Sequence, residues 1–287
     1  MSRVAYVNGR YVPHRQAVVH IEDRGYQFAD GVYEVIAVER GRLVDEVPHL
    51  ERLDRSLAEI RIRPPMARAA LRSVMREVLR RNRIDEGILY IQMTRGVAPR
   101  EHAFPARGDT ALVMTAKRAR GRPPSVVEDG VRVITLPDIR WGRCDIKTIA
   151  LLPNVLAKQQ AREGGAYEAW LVDRQGQVTE GSSTNAWIVT KAGRLVTRSA
   201  THAILNGITR QSVIRLAKSD GLALEERPFT VAEAKAAREA FLTSTTSQVL
   251  AVTEIDDEVI ANGKAGSFTL KLRALYLGYA SGPGTSA

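Results

Sequence analysis

A lysine set among apolar neighbours is the first feature of chemical interest. Lys147 stands in Asp145-Ile146-Lys147-Thr148, with Ile149, Leu151 and Leu152 following. Partial desolvation disfavours an ammonium and favours the free amine, the form that attacks a carbonyl carbon. The same residues also suit a surface lysine paired with Asp145. The chain has only eight lysines, and Lys158, on a predicted helix, is the nearest rival.

Three further polar segments could serve one anionic ligand. Glu180-Gly181-Ser182-Ser183-Thr184-Asn185 offers a carboxylate and small hydroxyl side chains, set in a loop predicted between two strands. Leu205-Asn206-Gly207-Ile208-Thr209-Arg210 precedes an amphipathic run with Val213, Ile214, Leu216 and Ala217. Backbone N–H groups at a helix start, beside a threonine hydroxyl, suit a phosphate, although a helix cap without a ligand reads the same way. Thr243-Ser244-Thr245-Thr246-Ser247 is a dense hydroxyl run after the strand-like residues 240–242, able to donate to a second side of one phosphate.

Other chemistries leave no trace. The histidines (His14, His20, His49, His102 and His202) are far apart, with no HExxH or Cys/His pairing, so no metal site is expected. There is no GxSxG elbow, no Walker A loop and no GxGxxG after a strand.

The elements that must position these residues fit an ordinary globular chain. Its 287 residues, 44% hydrophobic and 26% charged, suffice for two modest domains. The formal charge of +10 is spread along the sequence without stacking aromatics, which points to a basic surface that assists anionic small molecules and to no nucleic-acid partner. No stretch of about 18 apolar residues is present, so no membrane-spanning helix is expected. No apolar leader opens the chain, and the single Cys144 excludes an internal disulfide; together these predict a cytoplasmic protein.

Residues 4–12 read as a hairpin turning at Asn8-Gly9, and residues 31–38 as a β-rich run with a short return strand. Leu50, Leu53, Leu57 and Ile60 recur at helical spacing, a second helix covers 66–81, and 88–93 and 111–114 are strands. Glycines, prolines and charges mark 121–133 as a linker between a smaller N-terminal domain, 1–120, and a larger one, 134–287, that carries Lys147. Beyond it come a strand at 131–134, a helix at 154–163, strands at 168–172 and 185–190, a helix from 207 to 221 and a terminal helix at 268–277. The fold class is α+β.

Taken in order, Asp145-Ile146-Lys147, Glu180-Gly181-Ser182-Ser183-Thr184-Asn185, Gly207-Ile208-Thr209-Arg210 and Ser244-Thr245-Thr246 resemble the fold-type IV pyridoxal-phosphate enzymes, which include D-amino-acid and branched-chain aminotransferases and aminodeoxychorismate lyase. The resemblance spans nearly the whole chain. It implies that Lys147 binds pyridoxal 5'-phosphate covalently and moves the substrate proton. Glu180 then faces the pyridine nitrogen, while Arg52, in a His-x-x-Arg spacing with His49, meets the phosphate with Ile208, Thr209 and Thr245, and Ser183 and Ser244 also belong to the cofactor site. It also implies a homodimer.

Substrate choice rests on Pro99-Arg100-Glu101-His102-Ala103-Phe104-Pro105. Arg and His two apart share a side if the loop is strand-like, and together they offer a fork and a second donor to a carboxylate. The segment resembles the α-carboxylate trap of D-amino-acid aminotransferases, completed by Tyr33. The implied reaction moves an amino group from a D-amino acid of the D-alanine type to a 2-oxo acid such as 2-oxoglutarate, alternating between the aldehyde and pyridoxamine forms of the cofactor. A branched-chain L-amino-acid aminotransferase or an aminodeoxychorismate lyase is the alternative on the same scaffold.

Overall fold

The computed structural model describes residues 3–119 and 123–282. The chain divides into two compact units, Met1–Arg120 with Ile146–Ala150 and Ala280–Ala287, and Gly121–Asp145 with Leu151–Tyr279. Both mix helices with sheet, as an α+β fold requires.

In the first unit, six described strands form an antiparallel sheet in the order Arg10–Pro13, Val4–Val7, Ala111–Arg118, Gly87–Thr94, Gly31–Glu39 and Arg42–Leu43. Positive φ at Asn8 (44°) and Gly9 (91°) makes the first turn the tight kind that follows strand twist. The strand Gly31–Glu39 alternates as an antiparallel strand should: Val32, Glu34, Ile36 and Val38 are buried, while Tyr33, Val35 and Ala37 are only half covered. Its core face packs with Leu50, Leu53 and Leu57 of the helix Glu46–Glu59 and with Met75 and Val78 of the helix Arg68–Asn82. Each such aliphatic side chain withdrawn from water contributes about 1.5–3 kcal/mol.

The part of that strand's outer side left uncovered by Arg42–Leu43 takes up residues 146–150. Tyr33 N–H donates to Lys147 O (3.0 Å), Ile149 N–H donates to Gly31 O (3.1 Å), and Val32 bridges Thr148. These bonds draw the lysine segment into the first unit, whereas the sequence assigns it to the C-terminal domain. Alternation along the segment sends Ile146 into the first core and turns Lys147 toward the Tyr33 face.

The second unit is built on a mixed sheet of nine described strands. Its path runs Leu224–Glu226, Leu195–Thr197, Asn185–Val189, Glu239–Ser244, Gln248–Ile255, Val131–Pro137, Glu168–Val172 and Val178–Gly181, with Glu258–Val259 beside Gln248–Ile255. Trp170, Ile188, Phe229, Leu242 and Leu250 fill its core. The expected linker 121–133 is not structureless. Pro124–Asp129 is helical and Val131 opens a strand, because Val126 and Val131 pack on that core; residues 121 and 122 lie outside the described residues. Among the described residues no helix is long and apolar enough to cross a membrane.

Candidate active site

The functional residues fall into one group in each unit. In the first, Lys147 is half-buried with its Nζ 4.2 Å from the centre of the Tyr33 ring. Among the described residues its ammonium has no ion-pair partner. Asp145, the alternative partner, is held instead by Arg143, Nε to Oδ1 at 3.0 Å. The rival Lys158 is committed elsewhere, donating to Tyr167 O and lying 3.4 Å from Glu168. The Lys147 backbone N–H reaches Ser56 Oγ at 3.4 Å, so the helix that carries Arg52 also steadies the lysine segment.

Arg52 is buried and engages Glu34 through two bonds, Nε to Oε1 at 2.7 Å and Nη2 to Oε2 at 2.9 Å. His49, one turn earlier, lies 2.7 Å from the same Oε2. Burial opposes charge on Glu34, but the Arg52 guanidinium and the adjacent His49 more than offset it and hold the carboxyl well below its usual range. Burial likewise pushes the His49 pKa down, against the pull of Glu34. Sequence reasoning passed over Glu34; its one signal is a lone carboxylate at a core position of an apolar strand.

Arg100 and His102 both approach the Phe28 ring, though not from a strand: residues 98–110 contain neither helix nor strand. The Phe28 ring is their shared platform, with the Arg100 guanidinium 5.1 Å and the His102 ring 5.4 Å from its centre. Phe28 ends the short helix Arg24–Phe28, which Asp23 caps by accepting from Gly25 N–H. Tyr33 stacks at 5.7 Å on Tyr90, and burial with the neighbouring Tyr33 pushes the Tyr90 phenol up to about 12.

In the second unit Glu180 lies on the strand Val178–Gly181, not in a loop, because that segment pairs with Glu168–Val172 and is buried along its length. Its carboxylate accepts from Asn185 Nδ2 (3.0 Å), from Leu205 N–H (3.1 Å) and from Arg140 Nη1. Arg140 is itself gripped by Asp138, Nη2 to Oδ2 at 2.7 Å. Burial disfavours the guanidinium charge, yet Asp138 and Glu180 together raise its pKa. The same pairing lowers Asp138 despite its burial. Three groups, one of them braced by Asp138, thus donate hydrogen bonds to this one carboxylate. Asn185 stood inside a segment already singled out, whereas Arg140 and Asp138 gave no signal in the sequence.

Asn185 ties this carboxylate to the helix Ile208–Ser219. A Cβ at Gly207 would come within 2.2 Å of Asn185 Oδ1, so only glycine lets the helix start this close. The start has no side-chain cap, and Ile208 and Thr209 are buried there. Uncapped N–H groups and the positive end of a helix dipole match a phosphate dianion. In the turn after Glu239–Ser244, Ser244 Oγ accepts from Ser247 N–H at 3.0 Å, and Thr245 is half-buried beside it. Ser183 Oγ donates to the buried Glu168 at 2.8 Å, and Ser182 Oγ donates to the same carboxylate. Each unit, taken by itself, holds groups whose chemistry suits pyridoxal phosphate: an amine in the first, and in the second a hydrogen-bonded carboxylate and a helix start with no side-chain cap.

A two-unit α+β chain with these groups is a candidate vitamin B6-dependent enzyme, and comparison with known proteins agrees. The amino-transferase class IV family profile matches residues 31–255. The chain is 45% identical over 262 residues to the D-alanine aminotransferase of Bacillus licheniformis, covering 91% of this chain and 92% of that one. It is 40% identical over 273 residues to the D-alanine aminotransferase of Staphylococcus haemolyticus, covering 95% and 96%. Among solved structures, the T.th. branched-chain amino acid aminotransferase with pyridoxamine 5'-phosphate aligns with a TM-score of 0.91 at 27% identity, over 99% of this chain and 96% of that one. The chain belongs to the class IV aminotransferases. It is an aminotransferase whose cofactor is pyridoxal phosphate.

Proposed function

We propose that the protein transfers the amino group of a D-amino acid, D-alanine in the simplest case, to a 2-oxo acid such as 2-oxoglutarate. The observation that carries this reading is the gathering of Arg100 and His102 on the single Phe28 platform. Two adjacent cationic or donor groups with a common backing make a carboxylate trap; Arg supplies the fork and His a further N–H. Support comes from the relatives, of which those 40–45% identical are named D-alanine aminotransferases.

Each residue then has a physical task. Tyr33 and the Arg100/His102 pair receive the α-carboxylate and orient the substrate. Lys147 would hold the cofactor and, once free, is the amine that moves the proton from the substrate Cα to the cofactor C4′. With the carboxylate fixed on one side and the amine on another, only one enantiomer presents its Cα–H to Lys147. Bound pyridoxal phosphate supplies an electron sink for the charge that develops at Cα. Glu180, which accepts hydrogen bonds from Arg140, Asn185 and the Leu205 N–H, is the carboxylate that would face the ring nitrogen and favour its protonated form. Arg52, with Ser183, Ile208, Thr209, Ser244 and Thr245, binds the phosphate, and Glu34 fixes the plane of the Arg52 guanidinium.

The amino-acid and 2-oxo-acid partners act on a homodimer in this reading. Val18, Ile21 and Tyr26 are each 75% exposed, and Leu152, Val155 and Leu156 are likewise open, a quantity of bare apolar surface that a second copy would cover. A monomer in sedimentation equilibrium at micromolar concentration would contradict this. The protein is read as cytoplasmic.

The reaction is tested by mixing holoenzyme with one amino acid and following the cofactor's absorbance. D-Alanine is expected to convert it to the pyridoxamine form, and 2-oxoglutarate to restore it. Conversion by L-leucine but not by D-alanine would instead favour a branched-chain enzyme, and failure of the added oxo acid to restore the spectrum would favour a lyase.

A further inference from the structure

Behind Arg100 and His102 lies a second tier of charged side chains that none of the tasks above uses. Asp30 immediately precedes the strand that carries Tyr33. Its carboxylate takes Arg24 Nε at 2.8 Å and Arg95 at both Nε (2.7 Å) and Nη2 (2.9 Å). The Arg24 side chain is 4% exposed, so its charge is sustained by what it touches. Its two outer nitrogens donate to the backbone carbonyls of Glu101 and, at 3.3 Å, His102. Glu101 stands between the two proposed carboxylate anchors, and His102 is one of them.

Arg95 grips the other end of the same loop. Its guanidinium lies 3.6 Å from the centre of the Phe104 ring, with Arg61 4.7 Å from that centre. Arg95 also donates to Ile60 O at 2.7 Å and Arg61 O at 3.0 Å, the end of the helix that bears Arg52. Phe28 adds the third hold, since it faces Arg24 at 4.9 Å as well as Arg100 and His102. A loop with no regular structure of its own is thus held in three ways. Closing such a loop needs only one tether, and three indicate that its exact placement matters.

We infer that Asp30, Arg24, Arg95 and Phe104 form a positioning cluster that sets where Arg100 and His102 meet the substrate carboxylate, and so fixes affinity for carboxylate-bearing substrates without touching them. The inference rests on the reading of Arg100 and His102 given above. Its energetic sense is preorganisation: two hydrogen-bond donors held in place before binding lose less freedom when the carboxylate arrives.

The test uses three holoenzyme variants. Arg24→Lys keeps a cation opposite Asp30 but cannot reach two carbonyls. Phe104→Leu removes the clasped ring at a position 46% exposed, where folding is least at risk. Arg100→Gln removes an anchor itself. For each, KM and kcat with D-alanine are measured alongside the inhibition constant of propionate, which offers a carboxylate and no amine. Arg24→Lys and Phe104→Leu are each expected to raise the KM and the propionate constant by the same factor, about fivefold to tenfold, with kcat changed by less than about twofold. Arg100→Gln is expected to raise both constants further. If Arg100→Gln weakens propionate and the two cluster variants leave both constants at their wild-type values, the positioning role is overturned and the trap stands. If Arg100→Gln leaves both constants unchanged, the trap itself fails and the inference falls with it.

Discussion

Glu34 keeps its charge in the core only because Arg52 and His49 surround it, and that arrangement has a pH signature. Glu34 is held below the ordinary carboxyl value of 4.5, so the stability it contributes is present above that value and is lost as acid protonates it. His49 works in a higher window. Burial depresses it below its ordinary 6.5, so below that pH the unfolded chain binds a proton that the folded one refuses. Stability is therefore expected to decline first as pH falls below about 6.5 and more steeply below about 4.5. Glu34→Gln removes the carboxylate charge that faces the buried Arg52 guanidinium, and should lower the free energy of unfolding at pH 7 by about 3–5 kcal/mol while flattening the lower limb. Urea titrations at pH 7, 5.5 and 4 check this; a variant as stable as wild type at pH 7 would contradict the buried-pair account. At this scale a residue stands out in the sequence where its type is rare in its setting, as Lys147 does among isoleucines and leucines. Glu34, Asp138 and Arg140 escaped notice because their importance comes from partners far away in sequence, Arg52 for the first and Glu180 for the last.

At the scale of elements, the junction of the strand Val178–Gly181, Asn185 and the helix Ile208–Ser219 is the most constrained part of the second unit. Gly207 permits the helix start to sit against Asn185, and Asn185 in turn donates to Glu180. Gly207→Ala would push a methyl group to within 2.2 Å of the Asn185 amide oxygen and displace both partners. The expected result is weaker cofactor binding, by about tenfold in dissociation constant, with a stability loss of about 1–3 kcal/mol. Titrating apoenzyme with pyridoxal phosphate measures the first, and wild-type affinity would show that the junction does not shape the phosphate site. Period-two burial made most strands readable, and Leu50, Leu53 and Leu57 announced their helix. Small polar residues misled at 178–181, where Thr179 and Gly181 suggest a loop but pairing with Glu168–Val172 imposes a strand. The loop bearing Arg100 and His102 shows the converse: both residues meet the Phe28 ring with no alternating strand to bring them there.

For the whole molecule, composition indicated two α+β parts, and the charges and prolines near 120 marked the region where the chain passes from one unit to the other. Local sequence could not show that residues 146–150 return to the first unit, since that depends on the uncovered part of the strand Gly31–Glu39 forming two backbone hydrogen bonds with them. This return is what sets Lys147 over Tyr33 while Ile146 joins the first core. The most direct test of the account is to reduce the holoenzyme with borohydride, digest it and locate the attached phosphopyridoxyl group by mass spectrometry. The group should be found on the peptide containing Lys147 and should be absent from a Lys147→Ala variant. Attachment to Lys158, or to any other amine in the wild-type protein, would contradict it.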